Sequence, residues 1–430
     1  MNDLARETKF IQRNRKFTLI SFLNMIFTKP GVLSTLSLTG MCGDLGNSDI
    51  HLSKQALNKR INQPMVLFLQ KIFLLLYDAQ LTLELSSIPF RSSIPFRSIR
   101  VLDGTTVTLS MDCSEFYPGS VGAGVKIQIE FDLLTGRFLY INLQPGKAGD
   151  GPAGLDRLQN LQKNDVFLQD LGYFKFKILE GINEKEAFFV SRAKADTQFH
   201  TLHPNPQYHP DGSLMQKYAY ERLLIESVFP SINRGEYKEY PLVYMGANSK
   251  IPTRLILYRM TQKEQSRQDQ KIAVRNRTKP GIIKQKSRDL SGVSMMISNL
   301  PPTVPAEEII ALYRYRWQIE LLFRSWKSDF KVAHFRRMKI ERWQSHLYVE
   351  LIRLLLSTLI TYQFRIHFWK NEGLILSEQI TMREVGKKIW VLWRARDETV
   401  WQNTLESLER ILRSIGRKNI KEPSPIGWNT

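Results

Sequence analysis

Four side chains suited to phosphate chemistry recur at short spacing in the last third of the chain: Tyr313, Arg316, Glu320 and Lys327. At about 100° per residue, an α-helix would place all four within a sector of about 60°. A carboxylate can bind a cation, whereas Arg, Lys and a tyrosine hydroxyl can hold phosphate oxygens. This polar stripe predicts a site for a phosphate-bearing substrate, although an amphipathic helix with an Arg316–Glu320 ion pair would show the same pattern.

One helix, from Pro305 to about Phe330, is predicted to carry the polar stripe. Pro305 suits the first turn of a helix, and the two acidic residues that follow it suit the positive end. Trp317 and Arg324 widen the polar side. An apolar stripe runs directly beside it and comprises Leu312, Ile319, Leu322, Phe323, Trp326 and Phe330. The polar residues are therefore expected at the edge of a buried core, where they can point into a cleft.

Two acidic residues far upstream could complete a metal site with Glu320. Asp103 comes late in an apolar strand pattern, and Asp170 follows the apolar run Val166–Leu168. Each of them alone is also typical of a strand end or turn. Three carboxylates together are the ligands that hard divalent cations such as Mg²⁺ select, and two such ions about 3.5–4 Å apart can promote reactions at a phosphodiester. Asp156 is the competing candidate for the second acid.

The elements that must position these acids follow a strand-rich order. Alternating apolar residues and turn signals predict three strands, then a short helix, then two further strands. In chain order these elements are Ile99–Leu109, Val125–Leu133, Phe138–Leu143, Leu155–Lys163, Val166–Leu168 and Ala187–Ser191. This order predicts an α/β (α+β) fold with a mixed sheet and flanking helices.

The remaining segments divide the chain into further regions. Residues 1–85 have a helical and basic pattern, in which Ser53 is expected to cap a helix that resembles the second helix of a helix-turn-helix. A helix that only packs against its neighbours would show the same sequence pattern. A tandem repeat of Ser-Ser-Ile-Pro-Phe-Arg predicts a linker at 86–98. Beyond it we expect a first part of the core (99–196), a β-rich insertion with a basic arm (197–292), a second part of the core with the Glu-bearing helix (293–345) and a helical C-terminal region (346–430).

Composition restricts the class of partner. The chain has 430 residues with 61 Lys and Arg against 41 Asp and Glu, a formal net charge of +20. This excess favours nucleic acid first and an anionic membrane surface second. The longest apolar stretch, Leu347–Phe364, contains Glu350 and Arg353 and is predicted to be a buried helix rather than a membrane span. Two cysteines, Cys42 and Cys113, cannot form a disulfide framework, which fits a reducing cytoplasm. With nucleic acid as the first candidate and no membrane span predicted, we expect no membrane partner.

The polar stripe resembles the Tyr-Arg-Glu-Lys signature of bacterial insertion-sequence DDE transposases. The match has four residue types at fixed spacing in an aromatic-rich context. The resemblance implies an RNase H-like catalytic core interrupted by the β-rich insertion. It also implies cut-and-paste transposition of double-stranded DNA, in which element ends are nicked and the freed 3′-hydroxyls are joined to a target. The residues that would then contact DNA are Tyr313, Arg316, Trp317, Arg324 and Lys327.

The acidic residues resemble the remaining motifs of that family. Asp103 begins a segment similar to its first acidic motif, and Asp170 begins one similar to its second, with Leu171 where relatives often have Arg. The resemblance implies that Asp103, Asp170 and Glu320 are catalytic and hold two Mg²⁺ ions, with Mn²⁺ as a substitute. We further expect a dimer on DNA and a helical DNA-binding region at residues 1–85. Two alternatives stay open: a nuclease that cuts without strand transfer, and a non-catalytic basic DNA-binding protein, such as a decayed copy.

Overall fold

The computed structural model describes residues 1–11, 18–47, 50–83, 94–120, 122–213, 215, 218–278, 290–328, 337–395 and 397–417. The chain forms two compact units. The first comprises Met1–Pro89, Asp103–Ala148 and Gln318–Asn419, and the second comprises Phe90–Leu102, Gly149–Trp317 and Ile420–Thr430. The tandem repeat up to residue 93 and the part of the basic arm at 279–288 lie outside the described residues.

The second unit is built on a sheet with three parallel strands. In spatial order its strands are the first half of β1 (Ser98–Leu109), β4 (Asp165–Gln169), β5 (Phe188–Arg192), β10 (Val293–Ser298), β9 (Ile251–Arg259), β8 (Tyr237–Met245), β6 (Phe199–Leu202) and β7 (Tyr220–Leu223). Strands β1, β4 and β5 run parallel, whereas the pairs from β5 outward are antiparallel.

The first unit contains the second half of β1, followed outward by β2 (Ala123–Asp132) and its antiparallel neighbour β3 (Phe138–Pro145). The strand order β3-β2-β1-β4-β5, with β1, β4 and β5 parallel, is that of an RNase H-like sheet and confirms the predicted fold class. Strands β6 to β9 come between β5 and β10 in the chain. They extend the sheet beyond β10, because β9 pairs with β10.

Helices flank the strands in both units. Those of the first unit are α1 (Asn2–Glu7), α2 (Leu19–Phe27), α3 (Val32–Thr35), α4 (Leu38–Gly46), α5 (Lys54–Arg60), α6 (Gln63–Thr82), α12 (Trp317–Ser328), α13 (Ile340–Glu372), α14 (Glu378–Arg394) and α15 (Glu398–Ile415). Those of the second are α7 (Gly151–Arg157), α8 (Phe176–Glu184), α9 (Ile225–Val228), α10 (Gln262–Thr278) and α11 (Ala306–Tyr315). Helix α10 forms the described part of the predicted basic arm.

Two helices among the described residues, α6 and α13, are long and apolar enough to cross a membrane by length and composition. The most apolar window of α13 is 72% buried, whereas that of α6 is 39% buried. Glu350 and Arg353, the charged residues in the middle of α13, are both buried: the Glu350 carboxylate accepts the N–H of Gly31 at 2.8 Å and lies 3.2 Å from Nε of Arg353. Helix α13 thus carries an ion pair inside the first unit.

A buried carboxylate joins β1 to β4 in the second unit. Asp165 accepts hydrogen bonds from Arg97 at 2.6 Å, from the Ser98 hydroxyl at 2.7 Å and from the Arg100 guanidinium at 3.0 Å. Burial by itself raises the pKa of Asp165, but the bonds from Arg97 and Ser98 outweigh it and hold that pKa below its ordinary value. The pairing of these strands therefore depends on a charge network as well as on apolar packing.

Replacing Gly136 with Ala is expected to destabilise the first unit by about 2–4 kcal/mol. Gly136 turns the chain between β2 and β3 with φ of +76°, and an added Cβ would overlap the ring of Tyr362. Urea unfolding would measure the loss. Gly43→Ala is the matched control, since an added Cβ on helix α4 meets nothing within 4 Å. The control should be neutral or slightly stabilising, and an equal loss in both variants would contradict the prediction.

Candidate active site

Polar side chains of the second unit lie where two parallel strands end. Asp170 directly follows β4 in an extended conformation, with φ of −83° and ψ of 160°. Arg192 is the last residue of β5. Because β4 and β5 are parallel neighbours, their carboxyl ends meet at one edge of the sheet, the edge at which ligands bind in open α/β sheets.

Tyr313, near the end of α11, has the guanidinium groups of two arginines close to its ring. The guanidinium carbon of Arg316 is 5.7 Å from the centroid of the Tyr313 ring, and that of Arg192 is 6.0 Å from it. Nη1 of Arg316 also lies 4.0 Å from Oδ1 of Asp170. The structure therefore brings together three sequence-predicted residues, Asp170, Tyr313 and Arg316, and adds Arg192 to them.

The Tyr313 hydroxyl is an unused donor within this group. Tyr313 is only 8% exposed, and among the described residues its hydroxyl has no hydrogen-bond partner. The Nε of Arg192 is likewise buried without a partner in the described part of the chain. A buried polar group without a partner costs about 1–3 kcal/mol. Both atoms are shielded from solvent, so a phosphate oxygen would reach either donor only after a local movement of the side chains. The two guanidinium groups supply the positive charge that such an anion requires.

The predicted single helix through Tyr313 and Lys327 is two helices. Helix α11 ends at Tyr315 and α12 begins at Trp317, and at Arg316 the backbone N–H bonds to the carbonyl of Tyr313 at 3.1 Å. This bond spans three residues, as in a 3₁₀ turn, instead of four. The backbone of Arg316 stays near helical values, with φ of −52° and ψ of −33°.

Helix α12, which belongs to the first unit from Gln318 onward, carries the remaining residues of the stripe. Its predicted apolar side is confirmed, because the following side chains are buried: Ile319, Leu322, Phe323 and Trp326. The Trp326 ring centroid lies 6.1 Å from that of Phe138 on β3. Glu320 is half-buried, whereas Arg324 and Lys327 are exposed and Trp317 is 42% exposed. Leu312 on α11 is buried as expected, and Phe330 lies outside the described residues.

Asp103 is half-buried in the part of β1 that belongs to the first unit. Its Oδ1 accepts the N–H of Gly104 at 2.8 Å. A Cβ added to Gly104 would come within 2.9 Å of the buried Gln128 amide on β2, so the glycine lets β1 and β2 approach next to the acid. Asp156, the competing second acid, is exposed on α7. The assignment of Asp170 as that acid stays a prediction.

The donor chemistry of the three acids fits a hard divalent cation, since all ligands would be carboxylate oxygens. Among the described residues, however, no group of three His, Cys, Asp or Glu side chains is placed to hold a metal ion. Metal binding by Asp103, Asp170 and Glu320 therefore stays a prediction.

Arg192 is the site residue that the sequence reasoning missed. It ends the apolar strand pattern at 187–191 just as Asp170 ends the pattern of the preceding strand. A polar residue that directly follows an apolar strand pattern is a candidate for the edge of the sheet, and this reasoning applies to Arg192 as it does to Asp170. The contact with Tyr313 could not be foreseen, because it joins residues more than a hundred positions apart.

Comparisons with known proteins give the family. A family model described as Transposase DDE domain matches residues 94–356. The transposase for insertion sequence element IS231E of Bacillus thuringiensis subsp. finitimus is 31% identical over 428 residues, which cover 97% of this chain and 89% of that protein. The transposase for insertion sequence element IS1151 of Clostridium perfringens is 29% identical over 374 residues, or 84% of this chain and 78% of that protein.

A solved structure also aligns with the chain, the cryo-EM structure of the piggyBac transposase synaptic complex with hairpin DNA. The alignment covers 98% of this chain and 84% of the chain in that structure, with 11% sequence identity and a TM-score of 0.43. That score is too low to establish a shared fold. DDE transposases normally use divalent metal ions. By the family model and the relatives, the chain belongs to the DDE transposase family of DNA-cleaving and strand-transferring enzymes.

Proposed function

We propose that this chain is the transposase of an insertion sequence, which cuts the ends of its element and joins the freed 3′-hydroxyls to a target. The observation that carries the proposal is the buried Tyr313 side chain, whose ring lies near the guanidinium groups of Arg192 and Arg316, the second of which is close to Asp170. Two cations and an unused donor suit a phosphate oxygen of DNA, next to a carboxylate suited to a metal ion. The relatives, named as insertion-sequence transposases, support the same activity.

The proposal assigns Asp103, Asp170 and Glu320 as the catalytic acids and metal ligands. Asp103 and Glu320 belong to the first unit and Asp170 to the second, so what supports the assignment is the carboxylate chemistry of the three residues and the family to which the chain belongs. Bound Mg²⁺, as two ions, would supply activation of the attacking hydroxyl and stabilisation of the leaving oxygen; Mn²⁺ would substitute.

The cations and aromatic residues are assigned to DNA. Tyr313 and Arg316 would hold one phosphate, whereas the exposed Arg324 and Lys327 on α12 would hold the backbone further along. Trp317, at 42% exposure, offers a ring face for stacking. Helices of residues 1–85 would add non-specific or end-specific binding, with the basic α5 as the candidate recognition helix.

The partners follow from the reaction. Transposon ends and the target are double-stranded DNA, and a dimer on DNA would hold two ends together. A cytoplasmic location, with access to the chromosome, is part of the proposal and agrees with free Cys42 and Cys113.

A supercoiled donor plasmid with the element's ends, incubated with the protein, Mg²⁺ and a target plasmid, tests the function. Short inverted repeats, sought in the DNA on either side of the coding region, would supply those ends. We expect two products: the excised element, and the target plasmid with the element joined to it. Cleavage without any joined product would leave the nuclease alternative, and binding without cleavage would leave the non-catalytic one.

Replacing Arg192 with Ala is expected to weaken cleavage by about 10–100-fold, because the half-buried guanidinium that the proposal assigns to a DNA phosphate is lost. The salt dependence of DNA binding should also change, with a slope of log affinity against log salt smaller by about one. Arg192→Lys keeps the charge and should recover part of the activity. An unchanged salt slope together with unchanged cleavage would remove Arg192 from the DNA contact.

A further inference from the structure

Helix α6 exposes a line of leucines on the side away from its own core. Leu67, Leu74 and Leu81 recur every seven residues and are 41%, 45% and 38% exposed, and Leu75 beside them is 60% exposed. The opposite side of the helix is buried and comprises Met65, Val66, Phe68, Leu69, Ile72, Phe73 and Gln80. The helix therefore has two apolar sides, of which its own unit covers one.

The exposed side has the spacing of a helix that packs on another helix. Lys71 and Asp78 lie between the leucines that are seven residues apart. Successive residues on this side, from Leu67 to Leu81, are therefore separated by four and three positions in turn. At about 100° per residue, they and Leu75 fall within a sector of about 120°. Leucines at heptad positions are typical of the seam between two helices. We name this set the leucine stripe: Leu67, Lys71, Leu74, Leu75, Asp78 and Leu81.

We propose that the leucine stripe pairs in antiparallel orientation with the same stripe of a second copy of this chain. A two-fold axis near Leu74 and Leu75 would place Leu67 of one copy beside Leu81 of the other, and Lys71 beside Asp78 of the other. Each charge then meets the opposite charge, whereas parallel pairing would set Lys71 against Lys71 and Asp78 against Asp78. An isologous contact of this kind is the commonest interface of homodimers.

Two other occupants fit the stripe less well. DNA would require cations, and this side of α6 offers leucines and one acid for its single Lys71. Helices that lie in a membrane surface carry several basic residues beside their apolar side, and α6 contains Lys71 alone. The Lys71 ammonium contacts Glu7 of its own chain, and both side chains remain partly exposed, at 43% and 60%. Charge complementarity therefore favours a second copy.

The inference rests on the dimer of the proposed function and assigns its contact surface. It is tested without DNA, so that failure of the leucine-stripe contact can be told apart from failure of the proposed transposase activity. Sedimentation velocity of the full chain at micromolar concentration should show a dimer. Leu74→Glu places two like charges at the axis and should raise the dimer dissociation constant by at least about tenfold. Leu202→Glu, at a leucine of β6 that is 55% exposed, is the matched control and should leave the dimer unchanged.

Charge variants and cross-linking test the orientation. Asp78→Lys should weaken the dimer, and the double variant Lys71→Asp with Asp78→Lys should restore it; circular dichroism should show all variants folded. In a Cys42→Ser background, a mixture of Leu67→Cys and Leu81→Cys chains should form a disulfide between the two chains. A monomeric wild type, a Leu74→Glu variant that dimerises normally, or binding of the stripe to phosphatidylcholine vesicles instead of a second copy would each overturn the proposal.

Discussion

Replacing Glu320 with Gln is expected to reduce cleavage of element ends by about 10³-fold or more. Gln keeps the shape and hydrogen-bonding capacity of the side chain but removes the negative charge that the proposed metal site needs. DNA binding should survive or tighten slightly, because one negative charge near phosphates disappears. The cleavage rate on a labelled end fragment and the affinity for the same fragment, measured in one buffer, would separate the two effects.

The matched control is Glu308→Gln, a half-buried glutamate on the neighbouring helix α11. This variant should cleave at close to the wild-type rate. Wild-type cleavage by Glu320→Gln would remove Glu320 from the chemistry. Loss of both cleavage and binding would indicate a structural role of Glu320 instead.

Replacing Asp165 with Ala is expected to lower the free energy of unfolding by about 3–5 kcal/mol, because the buried Arg100 would lose its counter-charge. The side chains of Asp165 and Arg100 are 0% and 2% exposed, so water cannot replace the lost interaction. Urea unfolding at neutral pH would measure the change. Asp156→Ala, on the exposed side of α7, should stay within about 0.5 kcal/mol of the wild type. Equal values for both variants would contradict the role of Asp165.

The same network predicts a pH dependence. The pKa of Asp165 is lowered in the folded protein, so its contribution to stability is present above the ordinary Asp pKa of about 3.9 and is lost as pH falls through the lower folded value. The gap in unfolding free energy between wild type and Asp165→Ala should therefore narrow below about pH 4. A gap that stays constant on acidification would show that Asp165 is not charged in the folded protein.

Local signals in the sequence were sufficient for much of the fold. The sequence predicts, from residue type alone, a turn between the strands Val125–Leu133 and Phe138–Leu143 and a helix start at Ser53. The structure confirms them, with φ of +76° at Gly136 and a bond from the Ala56 N–H to the Ser53 hydroxyl. Such features depend on a few neighbouring residues, and the mixed sheet with flanking helices is predicted from the order of these elements along the chain.

Long-range contacts could not be predicted from the sequence pattern. The network of Asp165 with Arg97 and Arg100 joins segments more than sixty residues apart, and no period in the sequence signals it. The break at Arg316 also escaped prediction, because a 3₁₀ turn leaves the apolar spacing of both helices intact. Tyr313 was expected at the edge of a buried core and is 8% exposed, close to Arg192, a neighbour that only the folded sheet provides.

The central claim is that Asp170 is a ligand of the catalytic metal ion. The most direct test of this claim is the metal selectivity of the Asp170→Cys variant. Thiolates bind hard Mg²⁺ poorly and softer metals better. End cleavage by Asp170→Cys should therefore be lost with Mg²⁺ and recover with Mn²⁺, whereas Asp156→Cys should behave like the wild type with both ions. Equal loss of cleavage by Asp170→Cys with the two metals, or a metal switch in Asp156→Cys alone, would contradict the claim.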